Sequence, residues 1–165
     1  MDKTLIEKYK AEMLEMYRSA KAVPTVARPI ATPPTLPDGT GGLLANVTTI
    51  RQLYPLANAT VTVFTGDYEN KTDIATATTD QSGKTDIFLL PTPDRALSQS
   101  AGATAKPYST YNMLVRAEGY RDNIHLNIPV FSGVVSLQGS NMMLLETAGA
   151  DKGPQIYDES LDFNL

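Results

Sequence analysis

Apolar residues recur over residues 3–20 at helical spacing: Leu5, Ile6, Tyr9, Met13, Met16, Tyr17 and Ala20 fall on one side, and Lys3, Glu7, Lys8, Glu15 and Arg18 fall elsewhere. Thr4 and Glu7 stand three apart, the spacing of a capping box in which each side chain satisfies the other's backbone N–H. The pattern predicts an amphipathic helix over residues 1–20. A helix this short is marginal alone in water, so its apolar stripe needs cover from its own domain, a second copy or a partner. Leu5, Tyr9, Met13, Met16 and Tyr17 are therefore the candidate interaction surface.

From residue 43 the period changes to two. Ala59, Val61 and Val63 alternate with Thr60 and Thr62, and Tyr111, Met113 and Val115 alternate with Asn112, Leu114 and Arg116. Strands are predicted at Leu43–Ile50, Ala59–Thr65, Thr72–Thr79, Thr85–Leu90, Tyr108–Glu118, Leu126–Phe131 and Ser136–Leu145. Thr72–Thr79 should pair with Thr85–Leu90 across a turn at Asp80–Lys84. Asp80 can accept hydrogen bonds from the turn's own backbone there, and Gly83 tolerates positive φ. Seven short strands with turn-sized gaps predict a mainly β fold, a seven-stranded antiparallel Greek-key β-sandwich of the prealbumin kind behind an N-terminal amphipathic helix.

Between helix and strands, residues 21–42 carry Pro24, Pro29, Pro33, Pro34 and Pro37 and then the glycine-rich run Gly39-Thr40-Gly41-Gly42, the composition of a semi-rigid linker with a flexible joint. Residues 91–107 lack periodicity and read as a surface loop. Beyond the sandwich at 43–147, residues 148–165 form an acidic tail. Its Ile156, Tyr157, Leu161, Phe163 and Leu165 are more apolar than a free tail needs, which predicts that it lies on the domain or pairs with a neighbour.

Composition narrows the function classes. The 165 residues are 42% hydrophobic, a globular value, with a net charge of −4 and no cationic stripe. Such a surface has no general attraction for a phosphate backbone, so nucleic acid is not expected as a partner. Cysteine is absent, which removes disulfides and thiolate chemistry. The charged start Met1-Asp2-Lys3 lacks the apolar run of an export signal, and no segment is apolar enough to span a bilayer, so a cytoplasmic protein without a membrane span is expected.

Three segments, Tyr54-Pro55-Leu56-Ala57-Asn58-Ala59-Thr60-Val61-Thr62-Val63, Thr78-Thr79-Asp80-Gln81-Ser82-Gly83-Lys84-Thr85 and Tyr111-Asn112-Met113-Leu114-Val115-Arg116-Ala117-Glu118-Gly119-Tyr120, resemble the carboxypeptidase regulatory-like family, a transthyretin-like or Cna-B-like sandwich. Ile128-Pro129-Val130-Phe131-Ser132-Gly133-Val134-Val135-Ser136-Leu137-Gln138 is similar to small Firmicutes proteins and to N-terminal domains joined to peptidoglycan-binding or cortex-lytic modules. The resemblance implies accessory or adhesive work beside cell-wall enzymes and no catalysis, since the regulatory-like domain is the non-catalytic one. Some Cna-B-like domains carry a lysine–asparagine cross-link from the first strand; Leu43–Ile50 has no lysine, so none is expected.

Candidate chemistry is sparse. His125 is the sole histidine, which excludes a multi-histidine metal site, and no serine sits on a glycine-flanked elbow, so a structural, hydrogen-bonded histidine is expected. Asp67, Glu69 and Asp73 could converge on calcium, but the spacing misses the EF-hand pattern and Lys71 intrudes, so a solvated loop is expected. No catalytic residue, metal or cofactor is assigned. The sequence supports a non-enzymatic structural or protein-interaction module that self-associates or binds a protein partner through the helix and tail. The alternative is a carbohydrate- or peptidoglycan-binding domain using Tyr54, Tyr68 and Tyr108 as a glycan platform.

Overall fold

The computed structural model describes residues 3–21, 34–49, 51–100, 102, 104–145 and 153–160. The chain divides into two compact units, Met1–Pro34 and Thr35–Leu165. The first carries helix α1 (Lys3–Lys21). It starts one residue before Thr4, the expected capping position, whose side chain lies outside the described residues.

The second unit contains strands β1 (Thr40–Thr49), β2 (Tyr54–Pro55), β3 (Thr60–Thr65), β4 (Thr72–Thr78), β5 (Phe88–Pro91), β6 (Tyr108–Arg116), β7 (Asn123–Phe131), β8 (Val135–Met142) and β9 (Gln155–Asp158), with a short helix α2 (Arg95–Gln99) inside the expected loop. One sheet joins β2, β1, β5 and β8, and the other runs β4-β3-β6-β7-β9. A single core draws on both: Leu43, Val47 and Leu90 from the first, Val61, Met113, Val115 and Val130 from the second. The period-two alternation supplies these inward positions, and burying each such side chain contributes about 1.5–3 kcal/mol.

The sheets are mixed, which corrects the all-antiparallel seven-stranded expectation. β8 runs parallel to β1 along its whole length, from Gly42 opposite Val135 to Thr49 opposite Met142, and β9 runs parallel to β7. The opposite flank of β1 is shared, its N-terminal half taken by β5 and its C-terminal end by β2.

The expected hairpin between Thr72–Thr79 and Thr85–Leu90 is not formed. β4 pairs with β3, whereas β5 pairs with β1 in the other sheet. The turn itself is as expected: Asp80 Oδ1 accepts from Ser82 N, Ser82 Oγ and Lys84 N, and Gly83 has φ +76°. The chain leaves this turn toward β1 instead of folding back on β4. Val47 N donates to Gly83 O, Thr85 N donates to Ala45 O and Lys84 bridges Asn46, so the turn hands the chain from one sheet to the other. A Cβ at Gly83 would collide with the Val47 carbonyl.

Two segment boundaries shift as well. The expected linker at 21–42 overlaps the sheet unit, since Leu36 is buried, Asp38 Oδ1 accepts from Arg95 N and Ser132 Oγ, and β1 already begins at Thr40; its residues 22–33 lie outside the described residues. The backbone and hydroxyl donors, Arg95 N first, hold the Asp38 carboxyl below its ordinary pKa. The tail is no appendage, because Gln155–Asp158 is a sheet strand. Leu161, Phe163 and Leu165 lie outside the described residues. No described helix is long and apolar enough to cross a membrane.

Candidate functional site

On the face of the five-stranded sheet turned away from the main core, Phe64, Leu114 and Ile124 form a second small cluster on which Tyr68 and Leu126 pack. Sequence alternation placed Leu114 among polar, outward positions; it is buried because this face carries its own apolar layer. Beside that layer opens a cleft of about 360 Å³, bordered by Tyr68, Asp67, Thr110, Asn112, Asn127 and Ile156, among others.

Three departures from regular pairing shape the cleft. The β3–β4 register shifts between Val63 and Phe64, the β6–β7 register shifts between Tyr111 and Met113, and Asn127 sits at φ 59° within β7. Such irregularities re-aim side chains, and here they turn two carboxamides into one clamp. Asn112 Nδ2 donates to Gly66 O at 2.8 Å, Asn112 Oδ1 accepts from Asn127 N at 2.9 Å, and Asn127 Nδ2 donates to Asp158 Oδ1 at 3.0 Å. The bond from Asn127 is the first of those that lower the Asp158 pKa. Tyr68 follows Asp67 into a 3-10 turn, and its hydroxyl lies 3.4 Å from Arg116 Nη2, while Arg116 Nε pairs with Asp122 at 2.9 Å.

The other two tyrosines of the expected platform lie elsewhere. Tyr54 is exposed on β2, in the four-stranded sheet, and Tyr108 is buried with its ring 5.2 Å from that of Phe131. Of the three, Tyr68 alone borders the cleft. Asp67, Glu69 and Asp73 do not gather either: Asp73 pairs with Lys71 at 2.5 Å, and no three metal-ligating side chains stand together among the described residues.

His125 is buried and hydrogen-bonded, as expected, in a network whose partners sequence reasoning missed. Its Nδ1 lies 2.9 Å from Glu159 Oε1 and its Nε2 lies 3.0 Å from Ser140 Oγ, the order carboxylate, imidazole, hydroxyl. Asn123 Nδ2 donates to the same Oγ at 3.0 Å, and the Tyr157 ring stacks on the imidazole at 4.8 Å. Burial outweighs the neighbouring carboxylate and lowers the His125 pKa, so the ring is neutral at pH 7. The Glu159 carboxylate can only accept, so in the neutral ring Nδ1–H donates to it, and Nε2 accepts from Ser140 Oγ, which in turn accepts from Asn123 Nδ2. A nucleophile would have to meet substrate, but Ser140 is 2% exposed and borders neither this cleft nor a second one of about 450 Å³ beside Arg95, Phe131 and Gly133. The network closes the margin where β8 meets β7 and β9, and it pins the terminal strand.

In the helical unit the described apolar residues Ile6, Tyr9, Met13, Leu14 and Met16 are all exposed, Tyr9 at 62% and Met13 at 72%. Leu5 and Tyr17 belong to α1, but their side chains lie outside the described residues. In the sheet unit, Leu89 and Leu137 stand exposed on the outer face of the four-stranded sheet, opposite Gly42 and Leu44 of β1.

No family model matches the chain, and no curated protein matches it. Among solved structures it is similar to the Bacillus anthracis TIE protein, with 15% identity over 64% of this chain and 17% of that one, at a TM-score of 0.40. Catechol 1,2-dioxygenase from Acinetobacter sp. ADP1, inhibited by bound mercury, is similar at 12% identity over 73% of this chain and 59% of that one, TM-score 0.40. The shaft pilin SpaA from Lactobacillus rhamnosus GG, a D295N mutant, is similar at 15% identity over 62% of this chain and 48% of that one, TM-score 0.37. The chain thus spans less than two thirds of each of these, and no activity or ligand is carried over from them.

Proposed function

We propose that this chain is a non-enzymatic structural or protein-interaction module, a transthyretin-like or Cna-B-like sandwich with a helix that drives assembly. The carrying observation is the apolar stripe of α1, whose described members Ile6, Tyr9, Met13 and Met16 are exposed. Water-exposed apolar surface on this scale marks a contact surface. Leu89 and Leu137 are separately exposed on the sheet unit. The enclosure of Ser140 argues against hydrolysis by the Glu159–His125–Ser140 array. Cell-wall and spore-associated proteins are the partner class that the sequence resemblance suggests.

Solution mass by light scattering, joined to co-purification from the native cell, tests this. The full chain is expected to self-associate or retain a defined partner, and Tyr9→Asp with Met13→Asp to abolish it, since each charge replaces about 1.5–3 kcal/mol of apolar burial. A monomer without partners, or an assembly indifferent to both substitutions, would overturn the reading. The second reading, carbohydrate binding, is favoured by one observation, the half-buried Tyr68 at the rim of a mixed apolar and polar cleft.

A further inference from the structure

We infer that the cleft between the Gly66–Asn70 segment, β6, β7 and β9 is a binding site for a neutral saccharide, with Tyr68 as its ring platform and Asn112, Asn127 and Asp67 as its hydroxyl-reading groups. The proposal rests on the second reading above and gives it a location and a ligand class.

Size and lining decide the class. A volume of about 360 Å³ falls in the range of small-molecule sites, roughly 300–1,000 Å³. Tyr68, Leu126, Ile124 and Ile156 supply an apolar floor and wall, which suits the C–H face of a sugar ring. Thr65, Thr110, Asp67 and the two asparagines supply hydrogen-bonding groups at its margin, and a purely apolar ligand would displace their water without replacing it. Among the described residues no lysine or arginine borders the cleft, and Asp67 does, which disfavours phosphates and other anions. A neutral polyhydroxyl ligand satisfies all three constraints.

The clamp also leaves the right valences open. Asn112 spends one amide proton on Gly66 O, and its carbonyl accepts from Asn127 N. Asn127 donates to Asp158. A second Nδ2–H on Asn112 and the carbonyl oxygen of Asn127 remain for a ligand, one donor and one acceptor held in place by bonds already made. Such preorganisation lowers the ordering cost of binding. The strained φ of Asn127 has a use in this arrangement, since it sets that side chain toward Asp158 and ends the β7–β9 ladder beside the cleft.

Amide NMR of the full chain, titrated to millimolar concentration with cellotetraose, chitotetraose, xylotetraose and maltotetraose, and with inositol hexaphosphate as the anionic control, tests the site. At least one oligosaccharide is expected to saturate shifts at Tyr68, Asn112 and Asn127, and Tyr68→Ala is expected to weaken it about tenfold or more. Tyr68→Phe, which keeps the ring, should bind nearly as the parent does, and Asp67→Asn provides an independent loss if Tyr68→Ala fails to fold. Saccharide binding that shifts other residues and ignores Tyr68→Ala and Asp67→Asn overturns the site while leaving the carbohydrate reading intact. No binding by any oligosaccharide overturns both, and tighter binding of inositol hexaphosphate than of any sugar overturns the ligand class.

Discussion

Neutral His125 makes the fold sensitive to acid. Its folded pKa lies below the ordinary value, which is about 6.5, so the unfolded chain binds more protons in the interval between the two. The stability it contributes is complete above that ordinary value and is lost as pH falls through the folded pKa. The melting temperature should therefore drop on acidification below about 6.5, and His125→Phe should flatten that limb while costing about 1–3 kcal/mol at neutral pH through the unmade bonds of Ser140 and Glu159. A pH series of thermal melts on both proteins checks this; parallel curves would exclude His125 as the sensor. At Gly83 the argument is steric. Gly83→Ala puts a side chain at φ +76° and against the Val47 carbonyl, so the urea midpoint should fall by the equivalent of about 1–3 kcal/mol. The Asp80–Gly83 chemistry was legible in the sequence because Asx and glycine turn signals are local. The His125 network was not, since Ser140 and Glu159 lie 15 and 34 residues away and nothing in their neighbourhoods marks them.

At the level of elements, alternation located β1, β3, β4, β6, β7 and β8 to within a few residues, because inward and outward positions differ in polarity. Pairing partners were less legible. The turn at Asp80–Lys84 has hairpin chemistry, yet the Gly83 carbonyl and the Thr85 amide that follows it bond to β1, and only the tertiary placement of Ala45 and Val47 reveals that. The cleft was legible in one residue, Tyr68, and otherwise hidden, because register shifts at Val63/Phe64 and Tyr111/Met113 leave no composition signal. β9 was legible only in part: Ile156 and Tyr157 are too apolar for a free tail, but a four-residue strand in an acidic context gives no sign of its pairing partner. It is held by Gln155 N to Asp122 O, Glu159 N to Leu126 O, and the His125–Glu159 bond. Deleting residues 154–165 should leave a folded sheet unit less stable by about 1–3 kcal/mol, measured by urea denaturation, with the acid limb altered because His125 loses its carboxylate. Unchanged stability would mean that β9 only decorates the sheet.

For the whole molecule, the division at residue 34 sets where a truncation can be made. Among the described residues, the buried apolar core of the sheet unit lies between Leu36 and Met142, so a chain of residues 35–165 should melt cooperatively near the parent temperature while losing any assembly that α1 drives. Starting at residue 42 instead would remove Leu36, Asp38 and the first residues of β1, and should lower the melting temperature sharply; calorimetry of the two truncations separates these outcomes. β1 also governs how the chain comes off the ribosome. Its full-length partner, β8, ends at Met142, some ninety residues after β1 is made, whereas β3 and β4 can close as soon as both emerge. Loop closure on that scale is slow relative to a local hairpin. During synthesis β1 therefore waits with one flank unpaired, and it is this delayed parallel pairing, rather than the five-stranded sheet, that should set the refolding rate and the chain's dependence on chaperones.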